Sequence, residues 1–310
     1  MKHSGNFIPL TLISIGLFLF ATNIVRALPA HHTPNHSLSD DSFQQANDLL
    51  NSIGELAPSI YWPNIKPNQF LENLKTNIHL PASPYQGRGT RFCGYGVLTF
   101  LMIKEDPLGY TKLLLKLYKE GKATYGDNEF KPSAAIKKAA GKIQFKGVLD
   151  IRPAEQMWYL CLADHFKGYL NIFNNHYHSG DEELAWASVN YAKFNRMLKK
   201  LLPYKVSARG TDLIRPQVGD LFSYLNEKLT TGTVILYINN RQVHKKNHAA
   251  VKFGIPTHYI VVEQIIKKDG VICLLFWDYG GKTLMEMSPS FLKKVTFGIT
   301  HCTKPIANGS

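Results

Sequence analysis

Four side chains in this 310-residue chain have the type and setting that amide chemistry uses: Cys93, His258, Asp278 and Gln86. Cys93 lies in Gln86-Gly87-Arg88-Gly89-Thr90-Arg91-Phe92-Cys93-Gly94-Tyr95-Gly96, a glycine-rich loop that runs into the apolar stretch VLTFLMI. This spacing predicts a helix that starts close to Cys93. A helix N-terminus presents unpaired N–H groups and partial positive charge. A thiol placed there ionises more readily, and the thiolate is the nucleophilic form. The same N–H groups can hold an oxyanion. Gly94 and Gly96 are expected to leave room for a substrate. The plain alternative is a small buried cysteine with no chemical role. The position between glycines and an apolar helix favours the nucleophile.

A nucleophilic thiol needs a base. Thr257-His258-Tyr259-Ile260-Val261-Val262 puts a histidine at the head of an apolar strand, where a polar ring is costly unless it has a partner. Phe276-Trp277-Asp278-Tyr279-Gly280-Gly281 ends the next apolar strand on an acid. Hairpin register decides whether the two meet. A three-residue loop Lys268-Asp269-Gly270, with glycine in the left-handed third position, would pair Lys267 with Val271. His258 and Asp278 then fall on one face as diagonal neighbours, roughly 7–8 Å apart at Cα. A two-residue Asp-Gly loop would slip the register by one and put them on opposite faces. The constellation therefore requires the three-residue loop or an equivalent bulge. Cys93 would then attack, His258 would hold its proton, and Asp278 would set the histidine tautomer. Gln86 is a candidate amide donor to the oxyanion. Its plain alternative is a solvated loop glutamine.

The elements that must position these groups divide into two kinds. Helical patterns cover residues 41–55, a short stretch near 69–76, about 93–104, 108–121, a run after Pro132-Ser133, 153–173 and 181–201. The last third changes to β-branched and aromatic runs at 233–239, 258–266, 271–278 and 295–301. Helices first and strands later argue an α+β fold. Apolar residues at 45% against 19% charged exclude a disordered chain and a coiled coil. Four cysteines in this length exclude a disulfide scaffold.

Residues 1–27 read as a secretory signal peptide: Lys2, an apolar run over 7–21, then small residues around Ala27. The runner-up is an uncleaved membrane anchor, since the run approaches the roughly 18–20 residues that span a bilayer. A polar leader follows over 28–40, with His31, His32 and His36 in a flexible tether. Removing residues 1–27 takes 36 basic residues to 34 against 23 acids, so the formal charge falls from +13 to +11. The expected location is periplasmic or extracellular, with an anionic envelope surface as a possible partner.

The order and setting of Cys93, His258 and Asp278 resemble the papain-like cysteine peptidase superfamily, in particular its bacterial Cys-His-Asp branches. The resemblance covers about residues 85–300. It implies a papain-like α+β domain over 41–310, with the nucleophile on a helix N-terminus packed on an antiparallel sheet that carries His and Asp. A helical insertion over about 105–215 and the lack of a Cys-Gly-Ser-Cys-Trp surround set this chain apart from papain. The implied activity is hydrolysis of an amide bond through a thioester. The substrate would be a protein, a peptide or a peptidoglycan peptide, with no cofactor, no metal and no nucleic acid. Two alternatives stand beside it: a transglutaminase- or deamidase-type acyl transferase, and a non-catalytic cell-envelope binding module on the same scaffold.

Other signals read as structure. His176, His178 and Asp181–Glu183 could ligate a metal, but acids suit a helix start anyway. Met157, Trp158, Tyr159 and Trp186 read as core. Residues 241–252 form a basic loop that is either solvated or a positive rim before His258. Cys161 and Cys273 are expected to be buried, and a pairing among Cys161, Cys273 and Cys302 is left open.

Overall fold

A computed structural model describes residues 37–87, 90–143, 151–172, 174–243 and 255–305. The signal-peptide reading, nearly all of the leader and most of the basic loop lie outside these residues. The chain divides into units Met1–Leu38 and Ser39–Ser310. Only Ser37 and Leu38 of the first are described, and the elements that position the site all belong to the second.

The fold is mixed α+β, with most of the helices in the first two thirds of the chain and a six-stranded antiparallel sheet formed mainly by the last third. Helix α1 is Ser37–Ser52 and α2 is Pro67–His79. Helix α3, Cys93–Glu105, is buried on all sides from Gly94 to Ile103, as expected of a helix that is apolar all round. Helix α4, Pro107–Glu120, starts on Asp106, whose carboxylate accepts from the Gly109 N–H. It stops at Gly121 in the left-handed conformation. A β1–β2 hairpin (Ala123–Tyr125, Asn128–Phe130) and a short α5 (Ala134–Ala139) follow. Helix α6, Pro153–His165, is buried from Ala154 to Ala163 and meets α3 through the Phe92 and Tyr159 rings, 5.5 Å apart. The expected core residues Met157, Trp158, Tyr159 and Trp186 are fully buried.

The long helix expected over 181–201 is shorter. Residues Asp181–Glu183 form one 3-10 turn, and α7 begins only at Tyr191 and ends at Leu201. Asn190 sets that start, because its side chain accepts from the Lys193 N–H. The stretch expected to be a helical insertion also carries strand: the β1–β2 hairpin and β3, Lys205–Gly210.

The sheet order is β3-β8-β4-β5-β6-β7, with β4 Thr233–Ile238, β5 His258–Lys268, β6 Val271–Asp278, β7 Gly281–Met287 and β8 Thr296–Thr303. Strict alternation divides its side chains between two cores. Ile235, Tyr237, Tyr259, Val261 and Trp277 pack toward α3 and α7. Val234, Leu236, Ile260, Val262 and Phe276 pack toward α8 (Leu221–Thr231) and α10 (Pro289–Val295). A single-turn α9, Asn240–Val243, follows β4. Two stacks tie α3 and α7 to the first face: Phe100 on Trp277 at 4.5 Å, and Phe194 on Tyr259 at 4.1 Å.

The β5–β6 hairpin differs from the expected one. The loop has two residues, Asp269 and Gly270, both with positive φ, and Lys268 faces Val271. That is the register in which His258 and Asp278 would part. A bulge between Val262 and Gln264 restores the other register, so that Val262 faces Phe276 and Val261 faces Trp277. Glu263 is the extra residue, and two residues opposing one is what shifts the pairing by one.

Candidate functional site

The four candidate residues come from three places in the chain. Cys93 is the first residue of α3, and its N-cap residue, Phe92, supplies no side-chain cap. The loop before it is anchored to the segment that precedes α7. Arg91 donates its backbone N–H to the Glu182 carbonyl at 2.8 Å and its Nε to the Glu183 carbonyl at 3.2 Å. Of the acids weighed as metal ligands, Glu182 and Glu183 hold Arg91 through their carbonyls, while the Asp181 carboxylate accepts from the His178 N–H at 2.8 Å and the Glu182 carboxylate from the Tyr177 hydroxyl at 3.0 Å. Among the described residues no group of three metal-capable side chains gathers.

His258 opens β5 and Asp278 closes β6, and both are buried. His258 Nε2 lies 3.4 Å from Asp278 Oδ2. The approach is an ion-pair distance at which Nε2 and Oδ2 are not aligned as a strict hydrogen bond. The other carboxylate oxygen, Oδ1, accepts from the Thr283 hydroxyl at 2.8 Å. Burial works against protonation of the His258 ring. The pull of Asp278, and then of the Cys93 sulfur, overrides it and raises the ring to about 9. The thiol is therefore within interaction range of the ring. With Nε2 turned to Asp278, Nδ1 is the nitrogen left for the sulfur. The Cys93 Sγ also sits 3.7 Å from the carbonyl oxygen of Thr257, the residue before His258. Cys93 is partly exposed, while its two partners are not.

Gln86 is 1% exposed, and neither Oε1 nor Nε2 has a hydrogen-bond partner. Its side chain lies on Gly96, where an added Cβ would meet Oε1 at 2.7 Å. Cys93 and Gly96 are three apart in one helix and share a face, so the Gln86 amide lies on the Cys93 side of α3. A buried amide with nothing to bond costs about 1–3 kcal/mol, and such a group calls for an explanation. The expectation that Gly94 and Gly96 leave substrate space is corrected here. The room at Gly96 is filled by Gln86, and a Cβ at Gly94 would meet Val189 Cγ1 at 2.9 Å.

The Gln86 loop is braced from below. Arg152 reaches the Ser83 carbonyl at 3.1 Å and Asn77 Oδ1 at 2.6 Å, and pairs with the buried Glu155. Burial raises the Glu155 carboxyl above its usual range, although Arg152 pulls it down. The Trp277 indole N–H donates to the Ala82 carbonyl at 2.8 Å, tying the loop to β6.

Several neighbours escaped the reading of the sequence. Tyr279 stacks on the His258 ring with centroids 4.5 Å apart and planes at 11°. Asn240 Nδ2 donates to the Tyr279 hydroxyl at 3.2 Å. The pair Tyr279-Gly280 after Asp278 signals a turn, but nothing local signals the stack. All four cysteines are free. Cys161 and Cys302 are buried, whereas Cys273 is only partly so, 3.7 Å from Glu286 Oε1. Among the described residues no helix is long and apolar enough to cross a membrane.

An α+β scaffold that gathers a helix-borne cysteine, a buried histidine and a carboxylate is the class this site defines. No family model matches the chain, no curated protein is significantly similar to it, and no solved structure matches it.

Proposed function

We propose that the protein is a cysteine hydrolase of papain-like design that cleaves an amide bond through a Cys93 thioester. The observation that carries this is the meeting of the partly exposed Cys93 thiol with the buried His258–Asp278 pair. A buried histidine held by a carboxylate beside a thiol can take the thiol's proton as the sulfur attacks. The thiolate attacks the amide carbonyl. The oxyanion is held by N–H groups at the start of α3 and by the Gln86 amide. The imidazolium passes its proton to the departing amine and the thioester forms. His258 then takes a proton from water, which attacks the thioester and releases a carboxylic acid and the free thiol. Asp278 keeps the ring oriented and stabilises its charged form.

A partly exposed thiol whose partners are buried suits catalysis better than a closed binding scaffold. The basic charge and the leader-like residues 1–40 support an exported setting with protein, peptide or peptidoglycan-peptide substrates. A thiol-reactive amide-mimic probe tests the reading at neutral pH. Labelling should be single-site and should vanish in Cys93→Ala. Undiminished labelling of that variant would remove Cys93 as the nucleophile.

A further inference from the structure

We propose that Tyr279 is a positioning residue for His258, held at a turn position that favours glycine so that its ring can clamp the imidazole in reach of Cys93 and Asp278. The inference rests on the function proposed above. Asp278 faces Gly281 across the β6–β7 turn, and the two residues between them have φ of 44° (Tyr279) and 78° (Gly280). Turns with positive φ at both central residues take Asn, Asp or Gly. A tyrosine there costs about 1–2 kcal/mol relative to glycine. Strain of this kind persists where surrounding contacts hold it.

The contacts that hold it here lie at the site. One face of the Tyr279 ring lies flat on His258. Tyr85 approaches the ring at 6.5 Å between centroids. The hydroxyl accepts from Asn240 Nδ2, and the Asn240 backbone N–H donates to Thr257 Oγ1 at 3.2 Å. Thr257 in turn offers its carbonyl to the Cys93 thiol. Tyr279, Asn240 and Thr257 therefore form a chain of contacts that leaves the imidazole face and returns to the sulfur. A π face against the ring also favours its protonated form, the one that donates to the leaving amine. The Gly280 that follows lets the turn pass close to the Ser83 and Pro84 carbonyls, and so to the Gln86 loop.

Two measurements on the full chain test this. The first is the ring-current shift of the His258 ring protons in protein labelled at histidine. The second is the rate of Cys93 alkylation by iodoacetamide at pH 7. Tyr279→Gly relieves the turn and removes the ring. It should abolish the upfield ring-current shift and slow alkylation about tenfold, without lowering the thermal midpoint by more than a few degrees. Tyr279→Phe keeps the ring and should recover most of both signals. A Tyr279→Gly protein that folds and alkylates at the parent rate overturns the proposal, as does a Tyr279→Phe protein that behaves like the glycine variant. The ring-current readout does not depend on catalysis. If Cys93→Ala kept its labelling, the hydrolase reading would fall while the clamp would still be measured.

Discussion

Strand β6 begins and ends on turns of the same backbone type, and the two ends differ in what they ask of their residues. At one end Asp269 and Gly270 have φ of 51° and 79°. Aspartate and glycine are what such a turn prefers, and a Cβ at Gly270 would meet nothing within 4 Å. At the other end a tyrosine and a glycine take the same conformation, and a Cβ at Gly280 would lie 3.0 Å from the Ser83 carbonyl oxygen. The first turn only closes a hairpin. The second is pressed against the Gln86 loop, carries the ring that covers His258, and follows directly on Asp278. Local preference is satisfied at the end far from the candidate site and overridden at the end beside it, the pattern expected where surrounding contacts hold a strained residue in place.

The largest test of this contrast separates the two ends by one residue. Inserting one alanine between Val262 and Glu263 shifts every residue before the bulge by one pairing step, so His258 would turn away from Asp278. Cys93 alkylation at neutral pH should fall to the rate of an ordinary thiol, a loss of about a hundredfold. Deleting Glu263 should instead leave the rate nearly unchanged, because Val262 then adjoins Gln264 and still faces Phe276. An insertion variant that folds and keeps its rate would break the comparison.

Asp278→Asn comes next. It should lower turnover of an amide substrate by roughly 10²–10⁴. It should also change the response of stability to pH. The His258 pKa is raised on folding, so its contribution is fully present below the unfolded value near 6.5 and is lost as pH rises through about 9. The parent should lose about 5 °C of thermal midpoint between pH 7 and pH 10 beyond any loss in the variant, followed by calorimetry. Equal slopes would show that Asp278 does not hold the charged ring.

The smallest effect is the sharpest comparison. Gly270→Ala should cost about 1 kcal/mol in chemical denaturation, the cost of a left-handed alanine alone. Gly280→Ala should cost about 2 kcal/mol, because its Cβ also crowds the Ser83 and Pro84 carbonyls. Alkylation of Cys93 should slow only in the second. Identical behaviour of the two would mean that both turns are merely structural.

Much of the scaffold was readable from local pattern. The apolar run after Cys93 announced a buried helix, and the β-branched runs at 233–239 and 271–278 matched β4 and β6 within a residue. Strand β7 was missed because its pattern, GKTLMEM, is half exposed and too polar to stand out. The helix expected over 181–201 was overextended because Asn190, a capping residue, was read through. At the site, the types and order of Cys93, His258 and Asp278 were legible, since a buried polar residue on an apolar strand needs a partner. Gln86 was legible only as a residue type. Its burial without a hydrogen bond depends on Gly96, ten residues away on another element.

The amino-acid order alone settled several local questions: where α3 starts, that four runs of the last third become strands, and that a turn ending at Gly270 joins two of them. Those outcomes follow from short-range preference, which neighbouring residues carry. The pairing of His258 with Asp278 was of another kind. A two-residue loop alone would have parted them, and the bulge at Glu263 brings them back. Nothing in Val262-Glu263-Gln264 marks a bulge. It is set by the packing of both sheet faces at once, and that balance exists only in the folded chain.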